Sequence, residues 1–130
     1  QALAAGGDGV HAMKDPTRGG LASALHEMAS KSRVGVVLRE ADVPVAPAVR
    51  SAGELLGIDP LHVANEGRFV AFIPSDQAEA ALACLKPYAP DACIIGAAQS
   101  SQAGQVILQN TLGVKRMLSM LSGEQLPRIC

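Results

Sequence analysis

The stretch DPTRGGLASALHEMASKSRVGVVL, residues 15–38, decides the fold class. Asp15-Pro16-Thr17 is a helix start signal, because Thr17 or Asp15 can cap and proline suits the first turn. Leu21, Ala22, Leu25, Met28 and Ala29 recur at helical spacing, which predicts a helix over Thr17–Ser32 with one buried stripe. Lys31 and Arg33 lie toward its negative pole. Val34-Gly35-Val36-Val37-Leu38 then reads as a buried strand. A helix that feeds straight into an apolar strand makes the chain a mixture of α and β.

Outward from there, Gly9–Met13 alternates as a short strand. Val43–Pro47 is a loop, because two prolines interrupt regular pairing. A helix over Ala48–Leu56 stops at Gly57, and Asp59-Pro60 opens a short turn carrying Leu61 and Val63. Arg68–Ile73 is the clearest strand, and Ser75-Asp76 caps a helix over Gln77–Leu85 that Pro87 ends. Ala92–Ala98 and Gln105–Gln109 are two more strands, with Gln99–Gly104 as a hairpin-like turn. Val114–Leu121 reads as a last helix or strand, with Val114, Met117, Leu118 and Leu121 favouring helix, followed by an extended tail over residues 122–130. The order of elements lacks strict βαβα alternation. The expectation is one α+β domain over residues 1–121, a mixed sheet with helices packed on it and a tendency toward three α/β/α layers.

The composition supports such a core and excludes several roles. Of 130 residues, 48% are apolar and 18% charged, enough to fold one domain. The only aromatics are Phe69, Phe72 and Tyr88, so the core must be aliphatic. A net charge of -1 supplies no basic footprint for nucleic acid, and the aromatics are too few for base stacking. No apolar run approaches the roughly 20 residues of a membrane-spanning helix. Three cysteines without a CxxC pair fit a reducing cytoplasm rather than a disulfide scaffold. The chain opens at Gln1, and Gln1–Ala5 reads as the end of a helix, so the expectation is a piece of a longer protein.

Three places can carry chemistry. The first is Asp15–Gly20. Two glycines in a helix's first turn each cost about 1 kcal/mol relative to alanine. Either a ligand's oxyanion or phosphate approaches the free amides there, with Arg18 adding charge, or the glycines permit tight packing. The second is Asn65-Glu66-Gly67, before the strongest strand. Glu66 is a candidate general base, although such a triplet is more often a plain turn with Gly67 at positive φ. The third is Cys130, the last residue, on a tail that from Gly123 can reach roughly 25 Å. A thiol with that reach suits a covalent carrier, although chemistry alone favours an accidental terminus or a truncation scar; Cys84 and Cys93 read as buried core thiols. His11, His26 and His62 show no metal-ligand spacing, and no Ser/His/Asp constellation is supported.

Asp-Pro-Thr-Arg-Gly-Gly near the start, Asn-Glu-Gly in the middle and the closing Glu124-Gln125-Leu126-Pro127-Arg128-Ile129-Cys130 together resemble one family. The sequence is similar, over essentially its whole length, to the C-terminal part of the HypE family of hydrogenase-maturation proteins. These belong to the aminoimidazole-ribonucleotide synthetase superfamily. The resemblance implies the C-terminal domain fold of that superfamily, with an N-terminal ATP-binding domain outside this chain. It implies a carbamoyl group carried on Cys130, received from HypF and dehydrated with ATP to a thiocyanate. The cyano group then passes to iron on the HypC–HypD complex, for the cyanide ligands of [NiFe]-hydrogenase. Glu66 would take a proton, while Asp15, Arg18, Gly19, Gly20 and Asn65 would line the ATP side, with Mg2+ accompanying the nucleotide. A homodimer is implied for the full-length protein, and inactivity for this piece alone. Two alternatives stand beside this one. The chain belongs to another superfamily enzyme, such as a thiamine-phosphate kinase or selenophosphate synthetase, or it acts in isolation as a non-catalytic carrier or docking module.

Overall fold

A computed structural model describes residues 9–120. The helix expected from residue 17 becomes α1, Gly20–Ser32, and buries Gly20, Ala22, Ala24, Leu25, Met28 and Ala29 along one face. Leu21 is only partly buried and packs at the margin of the core. The start differs from expectation, because neither Thr17 nor Asp15 caps. Gly19 occupies the N-cap with φ 72° and no side chain bonds there.

The strand after α1 is β2, Gly35–Arg39. It lies inside a four-stranded sheet with β4 (Gly96–Gln99), β5 (Val106–Gln109) and β6 (Lys115–Met117), in the order β4-β2-β5-β6. The pairing of β2 with β5 is parallel and the other two are antiparallel, so the sheet is mixed as expected. Together with the packed helices this is the α+β class read from the sequence.

The expected hairpin between β4 and β5 does not form, because β2 separates them. Val36 pairs with Ala98 on one side and with Val106 on the other. The polar 99–104 stretch crosses the start of β2 instead of closing a hairpin. A Cβ on Gly35 would stand 2.2 Å from the Ser101 carbonyl oxygen, so only glycine admits that crossing. The expected helix over 114–121 is also overturned. Asn110 Oδ1 accepts from the backbone N–H groups of Leu112 and Val114, each at 2.9 Å, and Gly113 turns with φ 81°. This closes a hairpin in which Ile107 faces Met117, and the 3.6-residue pattern yields to strand pairing.

The remaining elements are peripheral. β1 (Ala12–Lys14) and β3 (Val70–Phe72) make a separate two-stranded antiparallel ribbon. α2 (Pro47–Leu56) ends at Gly57, and α3 (Ala78–Leu85) follows Gln77 without a side-chain cap from Ser75 or Asp76. Neither helix has a buried residue. Cys84 on α3 and Cys93 before β4 are both exposed, which corrects their assignment to the core.

The core is aliphatic, as the composition requires. Ala22, Leu25 and Ala29 of α1 meet Val36, Leu38, Val106 and Leu108 of the sheet, with Leu61 and Leu118 closing the sides. Alanines at the helix-sheet contact let the backbones approach closely. Outside this core, Glu27 of α1 receives Lys14 of β1 at 2.7 Å and Lys31 at 2.6 Å, tying the ribbon to the helix.

Truncating Leu108, only 1% exposed, to alanine should cost about 2–5 kcal/mol in denaturant unfolding. Leu55→Ala, at a side chain 88% exposed, should stay within about 0.5 kcal/mol. The two lysines hold the Glu27 carboxyl down from 4.5 to about 2, chiefly through the Lys14 hydrogen bond. A depressed folded-state value means its stabilisation is complete above pH 4.5 and lost as pH falls through about 2. Carboxyl NMR titration should find Glu27 in that low range, and Lys14→Gln should move it upward.

Candidate functional site

The two motifs separated by some 50 residues in sequence meet because β1 and β3 pair. Lys14 lies opposite Val70 in the antiparallel ribbon, so the chain leaving β1 runs beside the chain entering β3. The Asn65 backbone N–H donates to the Pro16 carbonyl at 2.9 Å and joins the Asp15–Gly20 loop to the Asn65–Gly67 turn. Pro16 is buried beneath this junction, while Asp15, Arg18, Gly19, Asn65 and Glu66 are exposed. Gly67 turns with φ 73°, as a turn before β3 demands. The geometry therefore joins the two backbone segments and leaves the Glu66 and Asp15 carboxylates and the Arg18 guanidinium exposed.

The two glycines have distinct reasons. A Cβ on Gly20 would lie 2.6 Å from the carbonyl oxygens of both Leu61 and Val63, so α1 begins in direct contact with the backbone of the 3-10 turn Pro60–His62. Close packing thus accounts for Gly20, although its neighbour is that turn and not a strand. Gly19 is exposed with φ 72°, and a Cβ there would meet Ser23 at 2.7 Å. Gly20 N–H donates to Thr17 at 3.1 Å and Ser23 N–H to Gly19 at 3.2 Å, which leaves a tight turn rather than a capped start.

The same 3-10 turn carries a feature that spacing in the sequence did not reveal. His62 Nε2 bonds the Ser119 carbonyl at 3.0 Å, and His26 Nε2 from α1 bonds the Leu118 carbonyl. The last described residues, which lead toward 121–130, therefore lie against α1 and the 3-10 turn. Residues 26 and 62 share no local motif, and only the packing of α1 on the turn brings them to one segment. Cys130 and the rest of the expected tail lie outside the described residues.

Other candidates fall away from this surface. A shallow pocket of about 210 Å³ lies between Met13 and Lys14 of β1 and Glu27, Met28 and Lys31 of α1. It contains none of the two motifs. Among the described residues no group of three or more His, Cys, Asp or Glu side chains comes together to hold a metal ion. The Cys93 thiol donates to the Asp42 carbonyl at 3.2 Å, and desolvation pushes it up from its ordinary value. A thiol kept protonated in this way is a weak nucleophile. No helix among the described residues is long and apolar enough to cross a membrane.

Comparison with known proteins places this geometry in a family. Residues 1–109 match the model described as "AIR synthase related protein, C-terminal domain". A relative from Rhodobacter capsulatus, "Carbamoyl dehydratase HypE", is 48% identical over 124 residues, covering 94% of this chain and 36% of that protein. The chain thus spans about a third of the length of the curated relatives it matches. A crystal structure of "Hydrogenase Maturation Protein HypE in complex with ATP" is similar at TM-score 0.85 and 46% identity, over 93% of this chain and 38% of that one. A "HypE-HypF complex" structure is similar at TM-score 0.87 and 38% identity, over 92% and 39%. These matches bear out the resemblance read from the motifs. The chain belongs to the family of AIR synthase related proteins, as their C-terminal domain.

Proposed function

We propose that this chain is the C-terminal part of an ATP-dependent S-carbamoyl dehydratase of hydrogenase maturation, with Cys130 as carrier. The observation that carries the reading is the Asn65–Pro16 hydrogen bond, which joins the turn bearing Glu66 to the Asp15–Gly20 loop. The chain that continues to Cys130 leaves from Ser119, whose carbonyl is bonded by His62 of the 3-10 turn that Gly20 packs against. The relatives named carbamoyl dehydratase, and the similar HypE structures in complex with ATP and with HypF, support the same reading. The chain spans about a third of those relatives' length, and we assign most of the nucleotide site and the homodimer contacts to the remainder.

The chemistry asked of the site is loss of water from R–S–C(=O)–NH2. The carbamoyl oxygen takes the γ-phosphoryl group of ATP, ADP leaves, and nitrogen gives up one proton. The carbon–oxygen bond then breaks, the second nitrogen proton departs with phosphate, and the nitrile remains on sulfur. Products are R–S–C≡N, ADP, inorganic phosphate and one proton. Phosphorylation is needed because oxide is a poor leaving group and phosphate a good one. Glu66 is the proposed proton acceptor, an exposed carboxylate on the turn before β3. Arg18 fits an edge contact with the polyphosphate, alongside Asp15, Asn65 and the backbone at Gly19 and Gly20. Mg2+ would be held by the nucleotide's phosphates and by residues outside this chain. HypF is the proposed carbamoyl donor and the HypC–HypD complex the acceptor of the cyano group.

In the full-length protein, Cys130→Ala should abolish carbamoyl loading with the melting temperature unchanged, read by mass spectrometry. Persistent loading on Cys84 or Cys93 would overturn the carrier assignment. Glu66→Gln should load normally yet form nitrile more slowly by about 10²–10⁴-fold, the usual worth of a general base. The present 130-residue chain alone, carbamoylated chemically, should produce no nitrile with ATP; robust conversion would refute the need for the missing region.

A further inference from the structure

We propose that His26 and His62 are positioning residues that fix the origin of the segment bearing Cys130. This inference rests on the carrier reading of Cys130 and adds the device that sets where the carrier's reach begins. A carbonyl oxygen only accepts, so each Nε2 must carry the proton it donates to Leu118 and Ser119. The two donors come from different elements, the middle of α1 and the 3-10 turn Pro60–His62, and they seize successive carbonyls. Leu118 is held twice more. Its side chain is 1% exposed in the core, and its own N–H donates to Val106 at 2.8 Å.

The His62 ring is itself immobilised, with its side chain 10% exposed. Its Nδ1 is buried, lacks a hydrogen-bond partner among the described residues, and stands 3.6 Å from Asp59 Oδ2. Asp59 in turn accepts the Leu61 N–H at 2.9 Å, which shapes the turn that Gly20 packs against. One backbone unit therefore meets both the Gly20 end of the candidate site and the root of the carrier segment. The ten residues after Met120 can extend at most about 35 Å, so a displaced root changes which surfaces the thiol reaches. A carrier that must present one group to a partner and then to a reacting site gains from a fixed pivot, since misplacement by about 1 Å can cost about 10²-fold in rate.

The test uses the full-length protein with His26→Leu, His62→Leu and the corresponding His→Gln variants, because glutamine's amide can donate from near the Nε2 position. Each is loaded on Cys130 and followed through nitrile formation with ATP, beside amide hydrogen exchange at Leu118, whose N–H is bonded to Val106. The leucine variants should form nitrile at least about tenfold more slowly, with KM for ATP and the extent of loading unchanged. They should exchange faster at the Leu118 amide, and glutamine should restore both rate and protection. Wild-type rates and protection in a folded leucine variant would overturn the proposal, as would equal impairment of leucine and glutamine variants. If the wild type carries no carbamoyl group on Cys130, the carrier reading fails instead, while the exchange data still decide whether the histidines hold the segment. A leucine variant that does not fold leaves the decision to the glutamine variant of the same residue, whose loss of protection would overturn the anchoring.

Discussion

Backbone touches backbone where α1 begins. The hydrogen on Gly20 lies where any larger atom would overlap the carbonyl oxygens of Leu61 and Val63, and much of the molecule is arranged around that approach. It lets α1 lie low enough for Ala22, Leu25 and Ala29 to reach the sheet. It also brings the 3-10 turn under the helix, so that Leu61 joins the core and His62 reaches across to Ser119. A helix displaced by one methyl group would weaken the aliphatic contacts, which depend on close packing because no large aromatic ring fills the gap. Gly19 then turns the preceding loop back toward β1, which carries Asp15 and Arg18 to the exposed side.

Much of this was legible in the sequence, and what was not has physical causes. The α1 stripe was readable because apolar residues at helical spacing bury one face whatever lies opposite. The aliphatic core followed from composition alone. The helix expected over 114–121 failed because the pattern Val114, Met117, Leu118, Leu121 contains too few positions to separate a helix from a strand and its exit. The signal that decided it was Asn110, whose side chain accepts two backbone N–H groups and closes a tight hairpin before Gly113. The β4–β5 hairpin failed for a different reason. Local turn chemistry between neighbours says nothing about a third strand inserted from 60 residues earlier, and β2 took the place between them.

At the candidate site, each motif was visible and their meeting was not. Asp15–Gly20 and Asn65–Gly67 stand out by their glycines and charges, yet only the β1–β3 register brings them together. The histidines were invisible as a pair, since their common target is a stretch of backbone carbonyls with no side-chain signature. The thiols illustrate the opposite error. Cys84 and Cys93 sit among apolar residues in the sequence and were read as buried, but α3 lies on the surface and the chain before β4 is exposed. What separates Cys93 from a reactive thiol is its hydrogen bond to the Asp42 carbonyl and the desolvation that partial burial imposes on its sulfur.

The four-stranded sheet ends at β6, whose three residues Lys115, Arg116 and Met117 are all exposed. A terminal strand offers unsatisfied backbone groups to any neighbour in extended conformation, a second copy of the chain among them. Two adjacent cations on so short a strand make a second copy repel the first at the distance where pairing would begin. The hairpin that displaced a helix from the end of the sequence therefore supplies a barrier to edge-on self-association.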